Sequence, residues 1–139
     1  MSRRIRAGQP TYDEALAAAF GFLRSEGFTG PEETQLGHIY RRPGLHIQIW
    51  LHLGHESTLS TLVERFTEDG TREAAWLECL YVAAACGPAQ DVPGSVQSGR
   101  AMFKRLRQQA AGLERLLPAI TGSEASVLFA RCPTSRHSP

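Results

Sequence analysis

At 139 residues, with 42% hydrophobic and 21% charged side chains, the chain has the size and composition of one folded domain, which buries roughly two-thirds of the surface its unfolded form exposes. Fifteen basic against fourteen acidic residues leave a formal charge of +1, so there is no overall field of the kind that draws nucleic acid or an anionic membrane. The most apolar stretch, Ala74 to Cys86, contains Glu78 and falls short of the roughly 20 residues that span a bilayer.

The first residues, Met1 to Arg6, carry three arginines and are followed by Ala7-Gly8-Gln9-Pro10 with no apolar run. No signal peptide is legible there, and residues 1–10 are expected to be a flexible N-terminus. Thr11-Tyr12-Asp13-Glu14 is a capping box. Tyr12, Leu16, Ala19, Phe20 and Leu23 follow at spacings of three and four, which predicts one helix of about four turns ended by Gly27, with Phe28 folding back on it.

From Glu33 the apolar period changes to two. Arg42-Pro43-Gly44-Leu45 puts Pro and Gly at the centre of a type II turn, which pairs Arg42 with Leu45, Tyr40 with Ile47, His38 with Ile49 and Leu36 with Leu51 on the core face. The reverse face then pairs Arg41 with His46, Ile39 with Gln48 and Gly37 with Trp50. A three-residue turn at Gly54-His55-Glu56 sets Leu59 opposite Leu51, Thr61 opposite Ile49 and Val63 opposite Ile47. The alternative two-residue turn would bury Thr58, Ser60 and Glu64 without partners. The third strand ends near Phe66.

Thr71 is placed to cap a second helix over Arg72 to Cys86, closed by Gly87-Pro88. Residues 88–95 read as a loop, and Val96, Gly99, Phe103, Leu106, Ala110, Leu113 and Leu117 mark a third helix that Pro118 stops. Beyond it, Ser126 to Arg131 is the one segment suited to a further strand. The expected fold class is α+β: a helix, a three-stranded antiparallel meander, then two helices packed on the sheet. One domain covers residues 11–120, and residues 121–139 are an extension ending in a disordered tail.

Three cysteines are an odd number, and Cys79 and Cys86 lie about 10 Å apart along one helix axis, too far to bridge. Buried thiols in a reducing cytoplasm are the simplest expectation. Their apolar surroundings also unsuit them for Cys-His catalysis. Gly94-Ser95-Val96-Gln97-Ser98-Gly99 matches a nucleophile elbow only in part, and Ser95 or Ser98 reads better as a helix cap. Phosphate-cradling glycine motifs are missing. His46 and His52 are about 20 Å apart by strand rise and His38 faces the other way, so the meander histidines cannot share an ion. No metal, no cofactor and no catalytic residue are expected. Arg100, Lys104 and Arg107 form a basic helical stripe best read as a solvated face, without the aromatics that stack bases.

The reverse face of the meander is the candidate partner-binding surface: Ile39, Arg41, His46, Gln48, Trp50, His52, Leu62 and Glu64. Trp50 is its aromatic anchor unless a helix covers the face as a second core layer.

The segment Ala19-Phe20-Gly21-Phe22-Leu23-Arg24-Ser25-Glu26-Gly27-Phe28, the Tyr40 strand, the Leu45 to Leu53 strand and the Trp76-Leu77-Glu78 helix start together resemble the small immunity proteins of bacterial polymorphic toxin systems. The resemblance implies a non-enzymatic cytoplasmic protein, monomer or homodimer, that occludes a toxin by direct contact. Immunity proteins against nucleases are often acidic, and this near-neutral chain departs from that pattern. The alternatives are a secretion chaperone for an effector, or a small ligand- or metal-binding enzyme using His38 or His46 with Glu64.

Overall fold

A computed structural model describes residues 11–96 and 99–133; the expectations for residues 1–10, for a tail over 134–139 and for a cap at Ser98 lie outside them. Helix α1 spans Tyr12–Ala19 and opens on the expected capping box, with Thr11 Oγ1 accepting from the Glu14 amide at 3.1 Å and Glu14 Oε1 accepting from the Thr11 amide at 3.0 Å. The single four-turn helix is not formed. The chain breaks at Phe20-Gly21 and resumes as α2, Phe22–Ser25. Glycine is a poor helix former, and the break lets Leu16, Phe20 and Leu23 all be fully buried. Helices this short are marginal alone in water, so burial of those side chains, at about 1.5–3 kcal/mol each, holds them. Gly27, at φ 92°, ends α2, and the Phe28 amide returns to the Leu23 carbonyl at 3.0 Å.

The sheet is larger than a three-stranded meander. Five strands run in order, β1 (Thr29–Glu33), β2 (Gly37–Arg42), β3 (Leu45–His52), β4 (Ser57–Phe66) and β5 (Arg72–Trp76), each antiparallel to the next, and a two-residue β6 (Ser95–Val96) joins β4 on the same side as β5. The two central hairpins have the predicted register throughout: Arg42 faces Leu45, His38 faces Ile49, Ile47 faces Val63 and Leu51 faces Leu59. Leu36 is an exception to the predicted core, being 51% exposed just beyond the start of β2.

The expected helix over Arg72 to Cys86 is corrected to strand followed by helix. Thr71 does not cap it; instead Thr67, Asp69 and Gly70 (φ 88°) form a tight turn whose side chains bond to Thr71, and β5 runs back along β4. Only from Leu77 does the chain coil, as α3, Leu77–Ala83. The long apolar run concealed two periods, and the open edge of β4 offered main-chain partners that a helix from Arg72 would have left unused.

The loop after α3 holds a short 3₁₀ turn, Ala89–Asp91, and then β6, so Ser95 and Val96 are strand residues and not the start of a helix. Helix α4, described from Gly99 to Ile120, passes through Pro118 instead of stopping there. The expected strand over Ser126 to Arg131 is also overturned: α5, Ala125–Ala130, is helical and buries Leu128 and Phe129. Cys79 of α3 and Cys132 beyond α5 form a disulfide, with Cα atoms 5.8 Å apart, leaving Cys86 as the free cysteine. The expectation of three thiols is thereby corrected for two of them, because α5 carries Cys132 back onto α3.

The core lies between the helices and one sheet face, built from Tyr40, Ile47, Ile49, Leu59 and Val63 of the sheet with Leu80, Leu106, Leu113 and Phe129 of the helices. One polar pair crosses it. Thr61 donates to Gln109 Oε1 at 2.8 Å, and Gln109 Nε2 donates to the Leu59 and Pro93 carbonyls at 2.7 and 2.9 Å, so α4 is tied to β4 with its buried amide satisfied.

Candidate functional site

Alternation along the strands places Ile39, Arg41, His46, Gln48, Trp50, His52, Leu62 and Glu64 together on the face opposite that core, as expected from the hairpin register. The strand β5 adds Arg72, Ala74 and Trp76 to the same face. Ile39, Leu62 and Glu64 are buried, His46, Gln48 and Trp50 are half-buried, and Arg41 and His52 are exposed. Among the described residues, Phe20 meets Tyr40, Gln109 meets Thr61 and Ser126 meets Arg65 on the other side, while Glu78 of α3 borders this face beside Thr58 and Ser60.

Two indoles meet here. Trp50 of β3 and Trp76 of β5 pack edge to face with centroids 5.1 Å apart, near Leu62 of the intervening strand, which is paired with both Gln48 and Trp76. Edge-to-face contact aligns the positive ring edge of one with the negative face of the other. A hydrogen-bonded chain then crosses three strands. The Trp50 Nε1–H donates to Gln48 Oε1 at 2.8 Å, Gln48 Nε2 donates to Glu64 Oε1 at 2.8 Å, and Arg72 Nε donates to Glu64 Oε2 at 2.7 Å.

Glu64 is therefore a buried carboxylate with a guanidinium and an amide on its two oxygens, which is how such a charge becomes tolerable. His46 lies opposite it with Nδ1 3.9 Å from Oε1, and packs its ring 4.8 Å from Phe66. Burial lowers the His46 pKa; the Glu64 charge acts to raise it and Arg41 to lower it further. Arg41 itself pairs with Glu32 of β1. The arrangement suits contact and recognition: an apolar indole pair held in one orientation by polar neighbours that are already satisfied.

Beside Trp50 the face continues into an open polar cleft of about 790 Å³, in the notch where β5 has ended and β6 has begun to pair with β4. Ser60, which faces Trp50 across the ladder, lines it with Thr58, His55, Glu78 and Ser95. Trp76 and Arg72 were missed by the sequence reading. The signal was present in Asp69-Gly70, a strong two-residue hairpin marker, flanked by Arg65-Phe66 and Ala74-Ala75-Trp76.

On the basic stripe, Arg100, Lys104 and Arg107 are all exposed. Arg105 turns away from it to the Ser95 carbonyl, and Arg115 to the Tyr81 hydroxyl, which in turn donates to Asp91. Burial pushes the Cys86 thiol up, against the pull of Arg115. No helix is long and apolar enough to cross a membrane among the described residues. The chain matches no family model, and no curated protein or solved structure is found to be similar to it.

Proposed function

We propose that the protein acts by binding another folded protein through the face that carries Trp50 and Trp76, and that it neutralises that partner in the manner its resemblance to immunity proteins implies. The observation that supports this reading is the half-buried indole pair, oriented by the Trp50-Gln48-Glu64-Arg72 chain on the sheet face opposite the core. Aromatic anchors with a polar surround are the usual centre of binding energy at an interface. A pair already fixed in place loses little side-chain entropy on docking. The Cys79–Cys132 disulfide argues for an oxidising compartment over the reducing cytoplasm expected from free thiols.

The test is to recover the partner by co-purification from the native host, then to measure its affinity for wild type, Trp50→Ala and Trp76→Ala. Each variant is expected to keep the circular dichroism of the folded chain, with a urea midpoint lowered by loss of the indole contact, and to lose about 2 kcal/mol or more of binding under conditions where it is folded. Co-expression of the wild-type chain, and not of Trp50→Ala, should relieve the partner's toxicity. Equal affinity in all three proteins would overturn the proposed surface, and a harmless partner would overturn the neutralising role.

A further inference from the structure

We propose that Asp13, Glu33 and His38 form a binding site for a divalent transition-metal ion of the zinc class, on the opposite side of the sheet from the indole pair. Three separate elements supply the ligands: Asp13 from the first turn of α1, Glu33 from the last residue of β1 and His38 from β2, where it pairs with Glu33 across the ladder. One ligand atom from each lies within 4.8 Å of the others. Zinc ligands in a tetrahedron sit about 3.3 Å apart, so small rotations of the two exposed carboxylates close the set without moving the backbone.

The buried member of the cluster points to an ion beyond a simple ion pair. The His38 side chain is only 9% exposed, and its Nε2 lies 3.5 Å from Asp13 Oδ1, longer than a good hydrogen bond. Its Nδ1 is buried with no hydrogen-bond partner, and so is the hydroxyl of Tyr12, whose ring lies 5.9 Å away. A buried imidazole is ordinarily satisfied at both nitrogens; here Nε2 is the nitrogen that faces Asp13, at a long 3.5 Å, in a cluster that Glu33 completes. Coordination through Nε2 would use its lone pair and offset the charge of the two acids, with the remaining imidazole proton on Nδ1. One imidazole with two carboxylates suits zinc or a neighbouring first-row ion; calcium and magnesium, which prefer oxygen ligands throughout, would gain nothing from the histidine. Solvent on the exposed side completes the coordination.

The site is independent of the partner-binding reading and is tested on the full chain alone. Chelator-stripped protein is titrated with zinc chloride by calorimetry, its thermal midpoint is followed with and without zinc, and cobalt is used as an absorbing substitute. Wild type should bind one equivalent and melt higher when loaded. Asp13→Asn and Glu33→Gln, both at exposed positions, should each weaken binding by at least about tenfold, and His38→Gln should abolish the cobalt spectrum. A His52→Gln, His55→Gln double variant should bind as wild type does, which separates this site from the exposed turn histidines. Failure of wild type to bind zinc, or unchanged binding in both carboxylate variants, would overturn the proposal even if His38→Gln does not fold.

Discussion

Glu64 shows how one residue organises the surface. Its carboxylate is buried on a sheet face, and it remains tolerable because Arg72 and Gln48 each donate to one oxygen. Gln48 passes that order on to the Trp50 indole. His46, beside the same carboxylate, titrates with the fold. Burial lowers its pKa from 6.5, more than the Glu64 charge raises it, and Arg41 lowers it again. The unfolded chain therefore holds the His46 proton at pH values where the folded one has released it, so this contribution is fully present above about pH 6.5 and is lost as pH falls toward the folded pKa. Urea midpoints measured between about pH 5 and pH 7.5 should rise with pH, and His46→Gln should flatten that slope. The pairing of His46 with Glu64 was legible from the turn lengths alone. Arg72 was not, since the apolar run that follows it fits a helical period as well.

At the scale of the element, the β2–β3 hairpin is held by a close backbone approach. A Cβ on Gly37 would sit 1.9 Å from the Ile49 carbonyl oxygen and 3.1 Å from Trp50 Cα. Backbone cannot give way as a flexible side chain does, so Gly37→Ala should destabilise the fold by about 3 kcal/mol or more, read as a lowered urea midpoint. The overlap should also disturb Trp50, visible as a change in its fluorescence. The strand β1 closes the other side of this hairpin and is itself a sheet edge. Its Pro31, Glu32 and Glu33, with the register shift between Thr29 and Glu32, are the features that discourage further strands from pairing there. None of its residues alternates in hydrophobicity, so the period-two signal that marks β2 to β4 is missing from it. The β5–α3 boundary was hidden for the converse reason, because Ala74 to Cys86 is apolar enough to satisfy either period.

For the molecule as a whole, the Cys79–Cys132 bond joins α3 to the segment after α5 across 53 residues of sequence. A cross-link closing a loop of that length restricts the unfolded chain, and in the chain-entropy account removing it costs about 2–4 kcal/mol. The Cys79→Ser, Cys132→Ser double variant, or wild type under reductant, should therefore melt several degrees lower while keeping the sheet's circular dichroism. Cys86→Ser, which leaves the bridge intact, should not. The bond lies in a region after Ile120 that is itself part of the core, with Leu128, Phe129 and Cys132 all buried.

What the sequence determined by itself was local: the capping box at Thr11, the Pro43-Gly44 turn, and the register of β2, β3 and β4, which follows from period-two alternation once two turn lengths are chosen. That was enough to put eight of the surface residues on one face. Tertiary structure alone decided where β6 pairs, that α4 continues through Pro118, that α5 is a helix and that Cys79 meets Cys132. Each of these depends on an open strand edge or an uncovered apolar face elsewhere in the chain. His38 divides in the same way. Its inward direction follows from alternation, whereas its meeting with Asp13 arises only because α1 folds back over the sheet.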